Sequence, residues 1–307
     1  MTNQEDEITA WFAGQRKLNI SDFPIGIGDD MAEIRLAEGV SVLITTDMLL
    51  DGVHFDLHTA TLAQVGYKAM ASSLSDCAAM ATQPVAAVVS VGLPRGFGVE
   101  ELKELHVGIA LAGDKYNCPL VGGDITGWGQ SKPFAINVAM LSKPAGNKPV
   151  KRSGAKVGDC ICVTGTLGGS VYGRHLEFEP RVREAIKLAQ MVTLNSMMDI
   201  SDGLSSDLNR ICRQSKVGAI VEAQRIPISQ AARRNNDPLS SALNDGEDFE
   251  LLFTLAEKEC EKLLEQWKDA VPITKIGVIT NTHKMQIKAA DGQVSELQVK
   301  GYDHLAH

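Results

Sequence analysis

Between Thr61 and Ala81 the chain reads TLAQVGYKAMASSLSDCAAMA, a helical stretch that is apolar nearly all the way round. Positions 62, 65, 69, 72, 76 and 80 share one face, where Leu62, Val65, Ala69 and Met80 flank Asp76. Tyr67, Met70 and Leu74 occupy the opposite side. A helix of this kind is buried, and the fold has to be assembled around it. A carboxylate on such a helix must be paired or must bind a cation, which removes Asp76 from the ordinary surface acids.

Upstream lies VLITTDMLLDGVHF, residues 42–55. Val42–Thr45 reads as a short buried strand that ends in three oxygen-bearing side chains, Thr45, Thr46 and Asp47, with Asp51 and His54 close behind. Ligands of α/β sheets gather just beyond the carboxyl ends of strands. Further elements follow by pattern. A short amphipathic helix is expected at 4–13, strands at 86–93, 134–141, 160–164, 218–222, 249–255 and 273–279, and helices at 99–116, near 168–176, at 181–192 and at 256–268. SKPAGNKPV, residues 142–150, concentrates Pro, Gly and Lys as a linker does. Strands and helices alternate on both sides of it, which suggests two α/β or α+β domains.

The chain of 307 residues is long enough for two domains, and its net charge of -8 argues against a nucleic-acid footprint. No apolar run reaches the length of a membrane span, and MTNQEDEITA has neither the basic nor the apolar region of a signal peptide. A cytoplasmic protein is expected. The cysteines at 77, 118, 160, 162, 212 and 260 are too scattered for a disulfide framework and read as buried thiols.

The usual phosphate cradles are absent. There is no G-x-x-x-x-G-K-[ST], and Gly26-x-Gly28 runs into Asp29 and Asp30 where a dinucleotide fingerprint needs a third glycine. No H-E-x-x-H or C-x-x-C offers a zinc site. What recurs is an aspartate after an apolar run or a glycine turn: Asp30, Asp47, Asp76, Asp124, Asp199 and Asp202, accompanied by the hydroxyls of Thr45, Thr46 and Ser201. Carboxylates without His or Cys form the hard-oxygen ligand set of Mg²⁺. Converging without cations, they would repel and raise one another's pKa values. Singly, each acid serves as well as a helix cap or turn former. Together, the six fit a metal cluster better.

These segments also carry a resemblance. GIGDDMAEI, TTDMLLDGVHF, YKAMASSLSDCAAM, LVGGD, RSGAKVGDCICVTGTLGGS, MMDISDGLSSDL, GEDFELLFT and KGYDHLAH run in order from residue 26 to residue 307. The chain resembles the thiamine-monophosphate kinase family, in the superfamily of aminoimidazole ribonucleotide synthetase, selenophosphate synthetase and the hydrogenase-maturation carbamoyl dehydratase. DGVHF, GEDFELLFT and KGYDH point to the kinases within that superfamily. The resemblance implies an α/β (α+β) aminoimidazole ribonucleotide synthetase-like fold of two domains, 1–147 for metal, ATP and dimerisation and 148–307 completing the nucleotide and substrate site. The N-terminal sheets would pair into the barrel of a homodimer, with the C-terminal α/β sandwiches outside.

The resemblance further implies direct, Mg-assisted phosphoryl transfer from ATP to thiamine phosphate, with no catalytic side chain in the strict sense, since a phosphate oxygen is already an anionic nucleophile. Residue by residue, it assigns Asp30, Thr45, Thr46, Asp47, Asp76, Asp124, Asp199 and Asp202 to several magnesium ions. Gly123, Asp124, Arg152 and Ser201 go to ATP, and His54, Glu247 and Tyr302 to thiamine phosphate. Three positions depart from the family pattern: Asp245 before Gly246, Phe249 in place of Tyr, and Ile125 in place of Thr. The alternatives are another ATP-dependent synthetase of the superfamily and a non-catalytic Mg-nucleotide-binding protein. A selenophosphate synthetase would carry a reactive Cys near the N-terminus, whereas the first here is Cys77.

Overall fold

The computed structural model describes residues 4–15, 18–130, 132–302 and 305. The first half runs α1 (Gln4–Gln15), β1 (Ala32–Ala37), β2 (Val40–Leu50), α2 (Leu62–Ala79), β3 (Thr82–Leu93), α3 (Val99–Asp114), β4 (Leu120–Gly127) and β5 (Ala135–Pro144). Its sheet has the order β1-β2-β5-β3-β4, antiparallel except for the β3–β4 pair. The second half contains β6 (Cys160–Thr164), α4 (Val182–Met191), β7 (Ser196–Asp199), α5 (Leu204–Ser215), β8 (Gly218–Glu222) and α6 (Pro238–Asn244). It ends with β9 (Leu251–Leu255), α7 (Glu257–Gln266), β10 (Ile273–Thr280), β11 (Met285–Lys288) and β12 (Val294–Glu296). That sheet has the order β12-β11-β8-β10-β6-β9-β7.

The buried helix is α2. Thr61 caps it reciprocally: its hydroxyl accepts from the Gln64 amide at 3.2 Å while Gln64 Oε1 accepts from the Thr61 amide at 3.0 Å. Met70 and Leu74 belong to one apolar cluster with Met140 of β5 and with Met197, Leu251 and Phe253 of the second sheet. The helix is therefore packed between the two sheets, which is why it can be apolar all round. On its remaining side it meets α3 so closely that a Cβ at Gly66 or Gly108 would overlap the carbonyls of Leu105 and Ala63. A second apolar cluster, including Ile161, Val221, Leu204 and Leu208, fills the space between the far face of the second sheet and α5. No described helix is long and apolar enough to cross a membrane.

Four expectations are corrected. The strand that reads as ending at Thr45 continues to Leu50, so Asp47 lies within a strand and not beyond its end. Leu43 and Leu49 are buried on the face that Thr45 and Asp47 share, and Ile44, Thr46 and Met48 point the other way. Residues 168–176 form two 3₁₀ turns, Ser170–Tyr172 and Arg174–Leu176, because Gly168, Gly169 and Gly173 hold φ of +83°, +72° and +129°. α1 forms, yet it buries none of its residues. The expected linker starts inside β5, where Ser142 is buried, and Val150 donates its amide to Met80 O at 3.1 Å.

Candidate active site

β2, α2, the end of β7 and the turn before β1 bring their polar residues to one place. On β2, Thr45 donates its hydroxyl to Asp76 of α2, and Asp47 accepts from Ser73 of the same helix at 2.5 Å. Two residues later Ser75 donates to Asp199, the last residue of β7, at 2.6 Å. Asp30 is gripped by Arg152 through Nη2 and Nε at 2.7 and 3.1 Å, while Asp29 accepts the Arg152 amide at 2.7 Å. Carboxylate oxygens of Asp30, Asp76 and Asp199 all lie within 4.8 Å of one another.

Such crowding has an electrostatic signature. Burial pushes the Asp47 carboxyl up to about 6 and the Asp199 carboxyl up to about 7, and the charge of Asp30 adds to both. Asp76 is raised well above the carboxylate range by burial, then by Asp47, Asp199 and Asp30. Asp29, raised to about 6 by burial and by Asp30, belongs with them. The donors are oxygen alone and they converge, and burial and mutual repulsion raise the pKa values of Asp29, Asp47, Asp76 and Asp199. This set fits Mg²⁺ and suits neither zinc nor a soft metal.

The cluster is the floor of a cleft of about 820 Å³. Of the residues that the resemblance singles out, all but Gly123 and Asp124 line it. Those two sit on the exposed edge strand β4, where Asp124 stands opposite Ser90. Through Ser90, Asn137 and Met48 it shares the sheet face turned away from Asp47. β2 and β4 are three strand steps apart, roughly 14 Å. Within its own chain Asp124 does not meet the cluster.

The same cleft is lined by His54, Glu247 and Tyr302. His54 Nδ1 accepts the Leu50 amide at 3.1 Å, which places the ring proton on Nε2. Glu247 and Phe249 hold φ of +57° and +50°, unusual for side-chain-bearing residues, and are hooked there by amide bonds to Ser201 O and Ile200 O at 2.6 and 2.8 Å. Phe249 stacks on Phe178 at 4.0 Å and 8°. Tyr302 is half exposed, its amide bonded to Asp202 O at 3.1 Å. Of the tail beyond it, only Leu305 is described.

Two cations here escape a reading of the sequence. Lys68 is completely buried on α2, and its ammonium donates to Glu247 and, at 2.5 Å, to His54 O. Burial lowers its pKa, and the charge of Glu247 opposes the shift. The signal was present, because a lysine on a helix apolar all round raises the same question as Asp76. The second is Arg210, which binds Asp202 at 2.5 Å; its spacing from Asp207 is that of a helical i,i+3 pair.

Comparison with known proteins agrees with this geometry. The family models for AIR synthase related protein match residues 28–143 (N-terminal domain) and 156–289 (C-terminal domain). The thiamine-monophosphate kinase of Rhodopirellula baltica is 36% identical, covering 98% of this chain and 97% of its own. That of Escherichia coli K12 is also 36% identical, covering 93% of each. Among solved structures, AaThiL complexed with AMPPCP and TMP superposes with a TM-score of 0.78 at 28% identity, covering 98% of this chain and 96% of its own.

Proposed function

The chain belongs to the thiamine-monophosphate kinases of the AIR synthase related family, and from that premise we propose that it transfers the γ-phosphoryl group of ATP directly to thiamine phosphate, giving thiamine diphosphate and ADP. The observation that carries this reading is the cleft itself, lined both by converging oxygen ligands and by Glu247, His54 and Tyr302. AaThiL binds an ATP analogue and TMP together, which supports two substrates in one cleft.

The residues divide the work. Asp30, Asp47, Asp76 and Asp199, with Thr45, are the groups that would hold magnesium; the Thr46 hydroxyl is on the opposite sheet face, donating to Asn137 Oδ1 at 3.0 Å. Bound there, magnesium supplies neutralisation of the polyphosphate and of the charge that develops on transfer. Arg152, with Nε and Nη2 engaged by Asp30, leaves Nη1 for a phosphate oxygen. Ser201 lines the same cleft. Glu247 gives the cationic thiazolium ring a countercharge, and Lys68 fixes the direction in which that carboxylate points. The Tyr302 ring, half exposed, offers a flat face to a heteroaromatic. No general base is required.

The N-terminal sheet turns Ile44, Met48, Val88 and Leu141, each between 38% and 61% exposed, away from α2. A contiguous apolar face on a sheet suits a second sheet, and we assign it to a homodimer. That dimer brings Gly123 and Asp124 to a partner's cleft, which their place on β4 denies them at home. We put the domain boundary at 147/148, between the last strand of one sheet and the first of the other. The six cysteines are all free and buried, a state suited to the cytoplasm.

Product analysis after incubation with Mg-ATP and thiamine phosphate tests the reading. Thiamine diphosphate and ADP are expected in equal amounts. Binding of ATP without either product would leave a nucleotide-binding protein instead.

A further inference from the structure

We propose that Arg210 is a resident cation of the cleft, standing where a divalent ion would otherwise sit at Asp202 and offering an N–H edge to a nucleotide phosphate. The resemblance groups Asp202 with the magnesium ligands. The structure separates it from them. Its carboxylate is outside the trio of Asp30, Asp76 and Asp199, and Oδ2 is held by Arg210 Nη1 at 2.5 Å.

The arrangement is built by helix geometry. Asp202 precedes α5, Asp207 lies in its first turn and Arg210 follows one turn later. Arg210 Nη1 reaches Asp207 Oδ1 at 2.7 Å as well as Asp202, and Nε reaches Asp6 Oδ1 at 3.0 Å. Asp207 itself is fully buried, and its Oδ2 accepts the amides of Asp202 and Gly203 at 3.2 and 3.1 Å. Two carboxylates this close need a positive charge between them. A guanidinium supplies it permanently, since arginine does not deprotonate in proteins.

An ion at Asp202 would have to displace this charge or sit against it. Displacement leaves the buried Asp207 without its counterion, which is costly, and an ion set against Arg210 puts two positive charges side by side. Asp202 Oδ2, then, is closed to a magnesium ion by the residues present. Arg210 lines both the main cleft and a second one of about 450 Å³ that continues from it past Asp29 and Arg152. Its Nη2 group has no hydrogen-bond partner among the described residues, so that edge can donate to an anion in the cleft.

The phosphate contact rests on the kinase reading above, whereas the occupancy of Asp202 does not. The test begins with Mn²⁺ binding to metal-free protein, followed by electron paramagnetic resonance without nucleotide or turnover. The double variant Arg210→Gln/Asp207→Asn removes the guanidinium together with the buried carboxylate it neutralises, and it should bind one more Mn²⁺ per chain than the native protein. Arg210→Lys, which keeps the charge, should bind the native number. Equal counts for the native protein and the double variant would overturn the assignment, whatever the enzyme's substrate. Affinity for AMPPCP, measured calorimetrically, should fall about tenfold in the double variant, the loss expected for one charged hydrogen bond to phosphate. Unchanged affinity would remove the phosphate contact.

Discussion

Two sets of buried carboxylates lie within the reach of a few side chains from one another and are satisfied in different ways. Glu250, on the C-terminal side, accepts from Arg181 at 2.7 and 2.8 Å, from Thr164 at 2.7 Å and from Arg174. Glu247 has Lys68, and Asp202 and Asp207 share Arg210. Among the described residues, Asp47, Asp76 and Asp199 receive only the hydroxyls of Ser73, Thr45 and Ser75. A carboxylate enclosed with its own cations away from the cleft, as Glu250 is, is scaffold, whereas Glu247 beside Lys68 and Asp30 beside Arg152 also line the cleft. A carboxylate that folds against a hydroxyl keeps its charge, or its proton, in reserve for something that arrives later. The first set shapes the cleft, and the second makes it reactive.

Breaking the second set should cost activity without costing the fold. Asp76→Asn or Asp47→Asn should lower turnover by about a thousandfold, the scale of a lost electrostatic contact in a transition state. In metal-free buffer their melting temperatures should match or exceed that of the native protein, because one of several repelling carboxylates has gone. Melting temperatures that fall in step with activity would move these acids into the scaffold set.

Breaking the first set should do the reverse. Glu250→Gln leaves two arginines without their buried partner and should destabilise the protein by about 3 kcal/mol, the range for one half of a buried ion pair. Chemical denaturation would report it, and the loss should be the same with and without Mg²⁺. A metal-dependent loss would mean that Glu250 is not separate from the cluster.

Tyr302 lies outside both sets and should show the smallest effect. Tyr302→Ala should raise KM for thiamine phosphate by up to about tenfold, as stacking worth roughly 0.5–1.5 kcal/mol implies, and leave KM for ATP unchanged. Equal losses for both substrates would make the tail a brace for the fold.

Much of this division was legible in the sequence, and the parts that were not have physical reasons. Strands Cys160–Thr164 and Gly218–Glu222 fall where their apolar runs begin and end, because both are enclosed. β2 runs past its apolar start because Thr45 and Asp47 are polar residues turned inward, toward a helix that has polar residues to meet them. β11 and β12 are not legible, since strands of four and three residues that bury a single side chain between them leave no alternation to read. The acids were visible one by one, but their partners were not. Asp202 finds Arg210 on the helix it precedes, whereas Asp199 is met by Ser75 of α2, a partner that tertiary structure supplies. The same holds for Asp124, whose place on the far edge and opposite face of the sheet follows from strand order.

The most direct test of the central claim is the melting temperature as a function of pH, with and without Mg²⁺. Asp47 and Asp199 have folded-state pKa values raised to about 6 and about 7 from 3.8, so the folded protein binds more protons than the unfolded chain across that interval. Their contribution to stability is present at low pH and is lost as pH rises through the raised values. In metal-free buffer the melting temperature should therefore fall between about pH 5 and pH 8. With Mg²⁺ present it should hold or rise over the same range, because the ion takes the place of the protons and binds the ionised form. Superimposable curves with and without the metal would contradict the account, leaving the aspartates as buried acids that no cation seeks.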